Sequence, residues 1–437
     1  GNALRDNRIN FLYRDRAGAM WVSTSTMGIS IYDPFYQKFG LIPYKQGLIK
    51  NSFPNPNISN MGQHIEGSII FQSGGDYFLF DPIKKELKKN NFGFPENYLM
   101  GDFTTSGSIA HFTSWDRDKK IRVLTKYDLQ NAKVLDQWFQ DRKEGMWRTS
   151  LWGWPVEEVL FDSRETFWIG YVQANAIGAK MKDSDIFISM RTDLSIFSGK
   201  ELESAKFIQK VIKTLQGDIP KTLFEDREGL LWFSSGNGKL YKIDVENRKI
   251  DKFFHNSQDS TSIPSGMIIS ISEDNRDNLW IGTWPTGMAR FNKKTGKSKR
   301  FYEKERGLID NTVNAIIPDD DGYLWISTKN GICRFNPVTE NFLDYYYAED
   351  GLQSNEFLFD AAIKGKDGSI YFGGSNGVSY VEPEKIYKNP NPPMIDISSV
   401  YKDGEKVIFG TDVNGSKKLN VTYRDRGIAF DFNGLNY

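Results

Sequence analysis

The chain repeats one short pattern along most of its length, and this repeat constrains the fold more than any other feature. An apolar stretch is followed by a turn containing aspartate and then by a tryptophan, as in residues 313–328. The same frame recurs in residues 9–24, 223–232 and 271–283. Weaker copies place Ile70, Ala110, Trp168 and Tyr371 at the tryptophan position. This gives eight anchor positions, at residues 21, 70, 110, 168, 232, 280, 325 and 371. These anchors are 40 to 64 residues apart, an interval typical of propeller blades and helical solenoids.

The residues of each unit indicate four β-strands. Strand A is the apolar stretch that ends at the aspartate, and strand B carries the anchor. An Asp-x-x-Gly turn joins them, because aspartate can bond to its own backbone and glycine accepts a positive φ. A second glycine turn leads to strand C, as in residues 332–337, and strand D follows at residues 342–346. Four such strands, repeated eight times, predict an all-β fold, a β-propeller of four-stranded blades.

Composition agrees with this interpretation and excludes several classes of function. Aromatic residues make up 14% of the chain and glycine occurs 39 times, as expected for short strands joined by tight turns. The 56 basic and 56 acidic side chains cancel, whereas nucleic-acid-binding proteins usually carry a basic excess. A single cysteine and three histidines leave little material for a metal centre. We therefore expect no nucleic-acid partner, no metal and no cofactor. Only residues 198–201, a Ser-x-x-Glu capping box, indicate a helix.

The repeats resemble the two-component-regulator propeller repeat of bacterial hybrid histidine kinase sensors. The residues that carry this resemblance are 319–337 and their counterparts around Trp21, Trp232 and Trp280. The last unit, residues 351–377, resembles the terminal blade of such sensors. The proline-rich residues 389–393 resemble the step into their small β-sandwich, the three-tyrosine domain. The resemblance covers almost the whole chain but is weak from about residue 50 to residue 220.

The resemblance implies a domain organisation. Sensors of this kind carry two seven-bladed propellers, then the sandwich, a membrane helix, and cytoplasmic kinase and regulator parts. Eight units are one too many for such a ring, so we expect residues 1–37 to end a preceding propeller. Residues 38–388 would form a seven-bladed ring, closed by a strand near residues 38–41, and residues 389–437 would begin the Ig-like β-sandwich. A closed eight-bladed ring is the alternative.

The candidate ligand site rests on aromatic residues outside the repeat anchors. In an up-and-down blade, the B–C turns and the D–A connections share one face, opposite the Asp-x-x-Gly turns. Tryptophan beside arginine and amide groups suits a sugar-like ligand, because the rings stack on C–H surface and the polar groups bond to hydroxyls. The candidate ligand-binding residues expected on that face are Trp147, Arg148, Trp152, Trp154, Tyr171, Gln173, Trp115 and Trp284. The structural alternatives are that the aromatic residues cap a hydrophobic core or contact a neighbouring domain.

Other conspicuous residues have structural interpretations. The anchor tryptophans are expected to pack between blades. The aspartates of residues 319–322 lack the downstream bidentate glutamate of a helix-loop-helix calcium site. Cys333 is expected to be a small buried side chain, and His111 to fill a core or pore position. We predict no catalytic residue.

Together, the pattern and the resemblance predict a periplasmic ligand-sensing domain of an inner-membrane two-component signalling protein, not itself an enzyme. The resemblance implies an oligosaccharide derived from a polysaccharide as ligand, signalling to a kinase, and a homodimer formed through the full-length receptor. The membrane would be contacted only through segments absent from this chain, since no apolar run approaches the roughly 18–20 residues of a spanning helix. The alternatives are a propeller glycoside hydrolase or lyase, which would need two carboxylates facing a pocket, and a protein-interaction scaffold.

Overall fold

The computed structural model describes residues 8–14, 20–25, 28–32, 38–44, 52–139, 156–171, 176–182, 184, 187–189, 192–302, 307–386, 394–407, 410–411, 417–418 and 427–435. Phe39–Lys385 forms one compact unit, and Gly1–Lys38 with Ile386–Tyr437 forms another. No helix in the described ranges combines the length and the apolar character needed to cross a membrane.

The larger unit is built of four-stranded antiparallel sheets whose strands follow one another in sequence. The first two sheets contain β5 (Ile58–Gln63), β6 (Ile69–Ser73), β7 (Asp76–Asp81) and β8 (Glu86–Lys89), then β9 (Tyr98–Ser106), β10 (Ile109–Asp116), β11 (Ile121–Asp128) and β12 (Lys133–Phe139). The next two contain β13 (Val156–Phe161), β14 (Phe167–Tyr171), β15 (Ala176–Lys180) and β16 (Phe187–Ile188), then β17 (Pro220–Glu225), β18 (Leu231–Ser235), β19 (Lys239–Asp244) and β20 (Lys249–Phe254).

Three further sheets complete this unit in the described residues. They contain β21 (Met267–Glu273), β22 (Asn278–Trp284), β23 (Met288–Asn292) and β24 (Ser298–Phe301), then β25 (Val313–Pro318), β26 (Leu324–Thr328), β27 (Gly331–Asn336) and β28 (Asn341–Tyr346), and finally β29 (Phe357–Lys364), β30 (Ile370–Gly374) and β31 (Gly377–Val381) with β4 (Gly40–Pro43). Each sheet is consistent with a propeller blade, and the predicted all-β class is confirmed.

The last of these sheets takes its outer strand from the beginning of the unit. β4 lies antiparallel to β31, with Ile42 opposite Val378. This is the strand expected near residues 38–41.

Anchor tryptophans and their turns are held by one carboxylate per sheet. Asp226 Oδ1 accepts hydrogen bonds from the backbone N–H groups of Glu228 and Leu230, both at 3.0 Å. Its Oδ2 accepts a bond from Trp232 Nε1 at 2.9 Å. The same bond, across six residues and at 2.8–3.0 Å, joins Trp168 to Asp162, Trp280 to Asp274 and Trp325 to Asp319. All four indoles are buried, so the Asp-to-Trp spacing is fixed by this bond.

Neighbouring sheets share apolar cores, as expected where sheets pack face to face and their side chains interdigitate. Trp232 packs in one cluster with Leu279 of the following sheet, and Trp280 packs with Phe335 of the next. The last sheet of the larger unit packs on the first sheet of that unit, since Tyr371 lies in one cluster with residues of β5 to β8.

One α-helix, α1 (Gly199–Thr214), lies between β16 and β17. Its buried face packs in a cluster with residues of the β13–β16 and β17–β20 sheets. Ser198 is the N-cap residue, but its side chain makes no capping hydrogen bond, so the predicted capping box is wrong although the predicted helix is present. Short 3-10 helices occupy Leu194–Ile196, Ala348–Asp350 and Pro383–Lys385.

The smaller unit contains three sheets in its described residues. β1 (Ile9–Arg14), β2 (Met20–Thr24) and β3 (Ile29–Tyr32) form an antiparallel sheet that carries the anchor Trp21 in its second strand. β32 (Met394–Lys402) pairs with β33 (Glu405–Val407) on one side and with β36 (Ile428–Leu435) on the other. β34 (Gly410–Thr411) pairs with β35 (Lys417–Lys418).

Candidate functional site

The predicted loop cluster falls largely outside the described residues. Five of the candidate residues lie outside the described ranges, so their role as ligand contacts stays a prediction: Trp147, Arg148, Trp152, Trp154 and Gln173. Tyr171 is the last residue of β14, where its backbone pairs with Val156 and Ala176.

The structure corrects the expected placement of the two remaining tryptophans. Both were expected among the turns and connections of one face, but both belong to strands. Trp115 lies in β10 opposite Leu99 and Arg122, and Trp284 is the last residue of β22, opposite Met267. The backbone ladders simply extend further than the turn residues around them indicate. Trp284 leaves 44% of its surface exposed, whereas Trp115 is partly buried, so Trp284 is the better placed of the two for a ligand.

A polar cavity of about 560 Å³ lies inside the larger unit. Residues from β5, β9, β13, β17, β21 and β29, the first strands of six sheets, line this central cavity. These first strands contact one another from sheet to sheet. They are therefore the innermost strands of their sheets.

A β-bulge interrupts each of these first strands, and bulges re-aim the extra residue's side chain. In β17, Pro220 and Thr222 face consecutive residues of β18, so Lys221 is the extra residue of the bulge. The corresponding register shifts lie at Ser59, at Gly101 and Asp102, at Glu157 and at Ile269. β29 has a wider irregularity, between Phe357 and Ala362. Ser59, Asp102, Lys221, Ile269 and Asp360 all line the cavity.

Two carboxyl groups in the central cavity are set to gain or lose a proton near neutral pH. Asp360 lies in the wide bulge with a positive φ of 52°, a conformation in which aspartate is enriched. Asp360 has an exposed surface that lines the cavity, but protein surrounds its carboxyl group, and the resulting desolvation raises its pKa to about 7. Burial raises the pKa of Asp102 to about 6, against the opposing effect of a 3.3 Å hydrogen bond from Asn60 Nδ2.

Lys221 adds a positive charge to the same cavity, and burial lowers its pKa. The site therefore offers carboxyl, ammonium, amide and hydroxyl groups beside apolar wall residues. Such a mixture can exchange hydrogen bonds with a hydroxyl-rich ligand.

Sequence reasoning missed these residues, although one signal was present. Asn10 and Asn314 occupy matching positions in the aligned repeats, each a polar residue within an apolar strand. Both are the extra residue of a bulge, and a search for polar residues at that repeat position would have found Ser59 and Lys221 as well.

The remaining conspicuous residues are tied into the sheets. Asp319 Oδ2 accepts bonds from Trp325 Nε1 and, at 3.4 Å, from Arg334, and Asp320 pairs with Lys364 at 2.6 Å. Within the described ranges, no group of His, Cys, Asp and Glu side chains could hold a metal ion. Cys333 is buried, and burial raises the pKa of its thiol to about 12.

Comparison with known proteins identifies the repeat. The two-component regulator propeller family model matches residues 3–26, 262–284 and 307–330. Three segments of the chain match this repeat. These matches coincide with the segments that hold Trp21, Trp280 and Trp325, whereas Trp232 and the weaker anchors lie outside them.

Relatives of this propeller chain include a histidine kinase and an extracellular domain. The chain is 25% identical over 231 residues to histidine kinase P4 of Formosa agariphila, which is 50% of this chain and 16% of that protein. It is 18% identical to the extracellular domain of the putative hybrid two-component system BT3049 from B. thetaiotaomicron, with a TM-score of 0.66. That match covers 98% of this chain and 50% of that one.

A streptogramin B lyase has a similar fold at 13% identity, with a TM-score of 0.53 over 80% of this chain and 99% of the lyase. At these identities the structural matches show the fold alone. The chain spans half or less of the length of the kinase and of the extracellular domain.

Proposed function

We propose that the chain is an extracytoplasmic ligand-sensing region of a hybrid two-component histidine kinase. The observation that carries this proposal is the match of 98% of the chain to the extracellular domain of BT3049, combined with the family repeats. A location in the periplasm, as part of an inner-membrane protein that dimerises, belongs to the same proposal.

We also infer a closed ring of seven blades. The support is the pairing of β4 with β31 and the shared core between the β29–β31 sheet and the β5–β8 sheet. On this proposal the β1–β3 sheet ends a preceding propeller, and the strands from β32 onward begin an Ig-like β-sandwich.

An oligosaccharide is the proposed ligand. The central cavity supplies polar groups near the ends at which the inner strands begin, since Ser59 and Lys221 are each the second residue of a strand. Trp284 pairs with the first residue of β21 at that same end, where its exposed ring can stack on a sugar face. Signalling further requires that the ligand bind two arrangements of the receptor with different affinity.

Calorimetry against a panel of glycan fragments tests the sensor proposal, with saturable binding and no turnover as the expected result. The Trp284→Ala variant should bind a responding glycan at least about tenfold more weakly, as for loss of a stacking aromatic side chain. Phe254→Ala is the matched control, because Phe254 is also an exposed aromatic residue at a strand end. Equal affinity in the two variants would remove Trp284 from the site.

A second candidate function, a carbohydrate-active enzyme, is favoured by one observation. Asp102 and Asp360 line the same cavity with raised pKa values, and paired carboxyl groups with different proton affinities perform glycoside hydrolysis. Release of reducing ends from a polysaccharide, abolished in Asp360→Asn, would establish the enzyme and refute a purely sensory chain.

A further inference from the structure

A second cavity, of about 200 Å³, lies between the β9–β12 sheet and the β13–β16 sheet. None of its lining residues belongs to the central cavity. On one side, His111, Lys126 and Asp136 stand next to each other across β10, β11 and β12. On the other side, Phe161 and Lys180 come from β13 and β15. We call this space the inter-sheet pocket.

His111 is the unusual residue of the inter-sheet pocket. It exposes only 2% of its surface, and its Nδ1 has no hydrogen-bond partner. Its ring lies 4.2 Å from the Phe161 ring, centroid to centroid. Burial first, and then the charges of Lys126 and Lys180, lower its pKa to about 3. The imidazole is therefore neutral at neutral pH and offers one N–H donor and one acceptor nitrogen, and a buried polar atom without a partner calls for an explanation.

Two ammonium groups give the pocket a positive potential. The Lys180 side chain is buried, and its Nζ lies 4.2 Å above the Trp138 ring. Lys126 stands beside His111 in the ladder and, within the described residues, forms no ion pair with the neighbouring Asp136. Glu165, the second acidic residue of the pocket, is paired with Lys182 at 2.5 Å. With Lys182 included, the lining carries three ammonium groups and two carboxyl groups, so its formal charge is positive.

We propose that the inter-sheet pocket binds the oxyanion group of a small ligand, held by the Lys126 ammonium group and by the N–H of His111. A carboxylate or sulfate group accepts charge-assisted hydrogen bonds from lysine, and it would give the buried imidazole the partner it lacks. The volume is smaller than the roughly 300–1,000 Å³ of pockets for drug-sized ligands, so the occupant is a free inorganic anion or a single-ring acid. This site does not depend on the sensor role proposed above.

Imidazole NMR tests the proposal directly, because the chain has only three histidines. The ¹⁵N-histidine spectrum is recorded during titration with D-glucuronate, with inorganic sulfate, and with D-glucose as the neutral analogue. His111→Gln identifies the signals of His111 by their loss. We expect at least one of the two anions to shift these signals saturably and glucose to leave them in place. The anion that binds with the higher affinity then shows whether the ligand of this pocket is a sugar acid or a free inorganic oxyanion.

Lysine variants provide the second arm. Lys126→Met should weaken anion binding by about tenfold or more, as for loss of a charge-assisted hydrogen bond. Lys242→Met is the matched control, since Lys242 also lies in a third strand with its ammonium group 5.8 Å from an aromatic ring, compared with 6.0 Å for Lys126. The proposal is overturned if neither anion moves the His111 signals, if glucose moves them equally, or if both lysine variants bind alike. Trp284→Ala should leave the titration unchanged, which separates this site from the glycan site.

Discussion

The ammonium group of Lys293 is buried between two sheets and contacts three carboxylates. Its Nζ lies 2.6 Å from Glu273 Oε1, 3.1 Å from Asp226 Oδ2 and 3.3 Å from Glu228 Oε1. The Lys293, Asp226 and Glu273 side chains expose 4% of their surface or less, whereas Glu228 is half exposed. Lys293 therefore neutralises two buried negative charges at once, one of them the carboxylate that holds Trp232.

Replacing Lys293 by methionine keeps the length of the side chain and removes its charge. Breaking a buried ion pair by removing one partner costs about 3–5 kcal/mol of folding free energy, because the other charge stays buried and uncompensated. Both carboxylates keep backbone donors here: Asp226 keeps the N–H groups of Glu228 and Leu230, and Glu273 keeps that of Arg227 at 2.9 Å. We therefore expect Lys293→Met to lower the free energy of unfolding by about 3 kcal/mol, at the lower end of that range.

Lys364→Met is the matched control. Lys364 contacts Asp320 at 2.6 Å, as close as the shortest Lys293 contact, but the two side chains are 32% and 69% exposed. Such a surface pair contributes at most about 1 kcal/mol. Urea unfolding followed by tryptophan fluorescence compares the two variants, with an unchanged slope showing that stability alone has changed.

Two results would contradict this reasoning. One is that Lys293→Met lowers the free energy of unfolding no more than Lys364→Met does. The other is simple additivity of Lys293→Met with Glu273→Gln, because removing one orphaned charge should recover part of the loss. The pH dependence provides a further check: partner carboxylates raise the pKa of Lys293, so its contribution is fully present below the unfolded-state pKa of about 10.4 and is lost only as pH rises beyond it.

Three further predictions use matched pairs or pH. Ile42→Ala should cost about 2–5 kcal/mol and Leu41→Ala much less, since Ile42 is buried and Leu41 is exposed on the closing strand β4; equal urea midpoints would argue against closure by this strand. Gly287→Ala should be clearly more destabilising than Gly322→Ala, because both have φ near 80° but only at Gly287 would the new Cβ lie 2.3 Å from a carbonyl oxygen; calorimetric unfolding temperatures compare them. Burial raises the pKa of Asp360 to about 7, so its protonated form favours the fold below about pH 4 and this contribution is lost as pH rises through 7; Asp360→Asn should therefore be more stable than the unmodified protein at pH 8 and not at pH 4, measured by urea midpoints.

The period of the fold could be predicted because its defining contact is local. A carboxylate six residues before an indole bonds both the turn and the ring, so every strong copy must repeat the spacing. The copies whose anchor is not a tryptophan, at residues 70, 110 and 371, lack this contact, and packing takes its place. Ala110 is too small to fill the space of a tryptophan, and the rings of Phe92, Phe103 and Phe112 occupy its cluster instead. These side chains come from different strands and carry no repeating spacing.

The strand ends could not be predicted to the residue. Residues typical of turns follow Trp115 and Trp284 directly. Both tryptophans nevertheless belong to strands, because the partner strands extend far enough to pair with them. Ladder length depends on two segments, and sequence reasoning weighs one segment at a time.

The chemistry of the central cavity depends on a still less local property, the register of each inner strand. A bulge of one residue turns every later side chain of a strand to the opposite face relative to a regular ladder. Asp102 and Lys221 reach the cavity because the extra residue falls where it does, and Asp360 reaches it through a wider irregularity. In a regular alternating strand, neighbours of these residues would face inward in their place. The series of four-stranded sheets is thus specified by residues that repeat, whereas the candidate binding site is specified by the places where pairing departs from regularity.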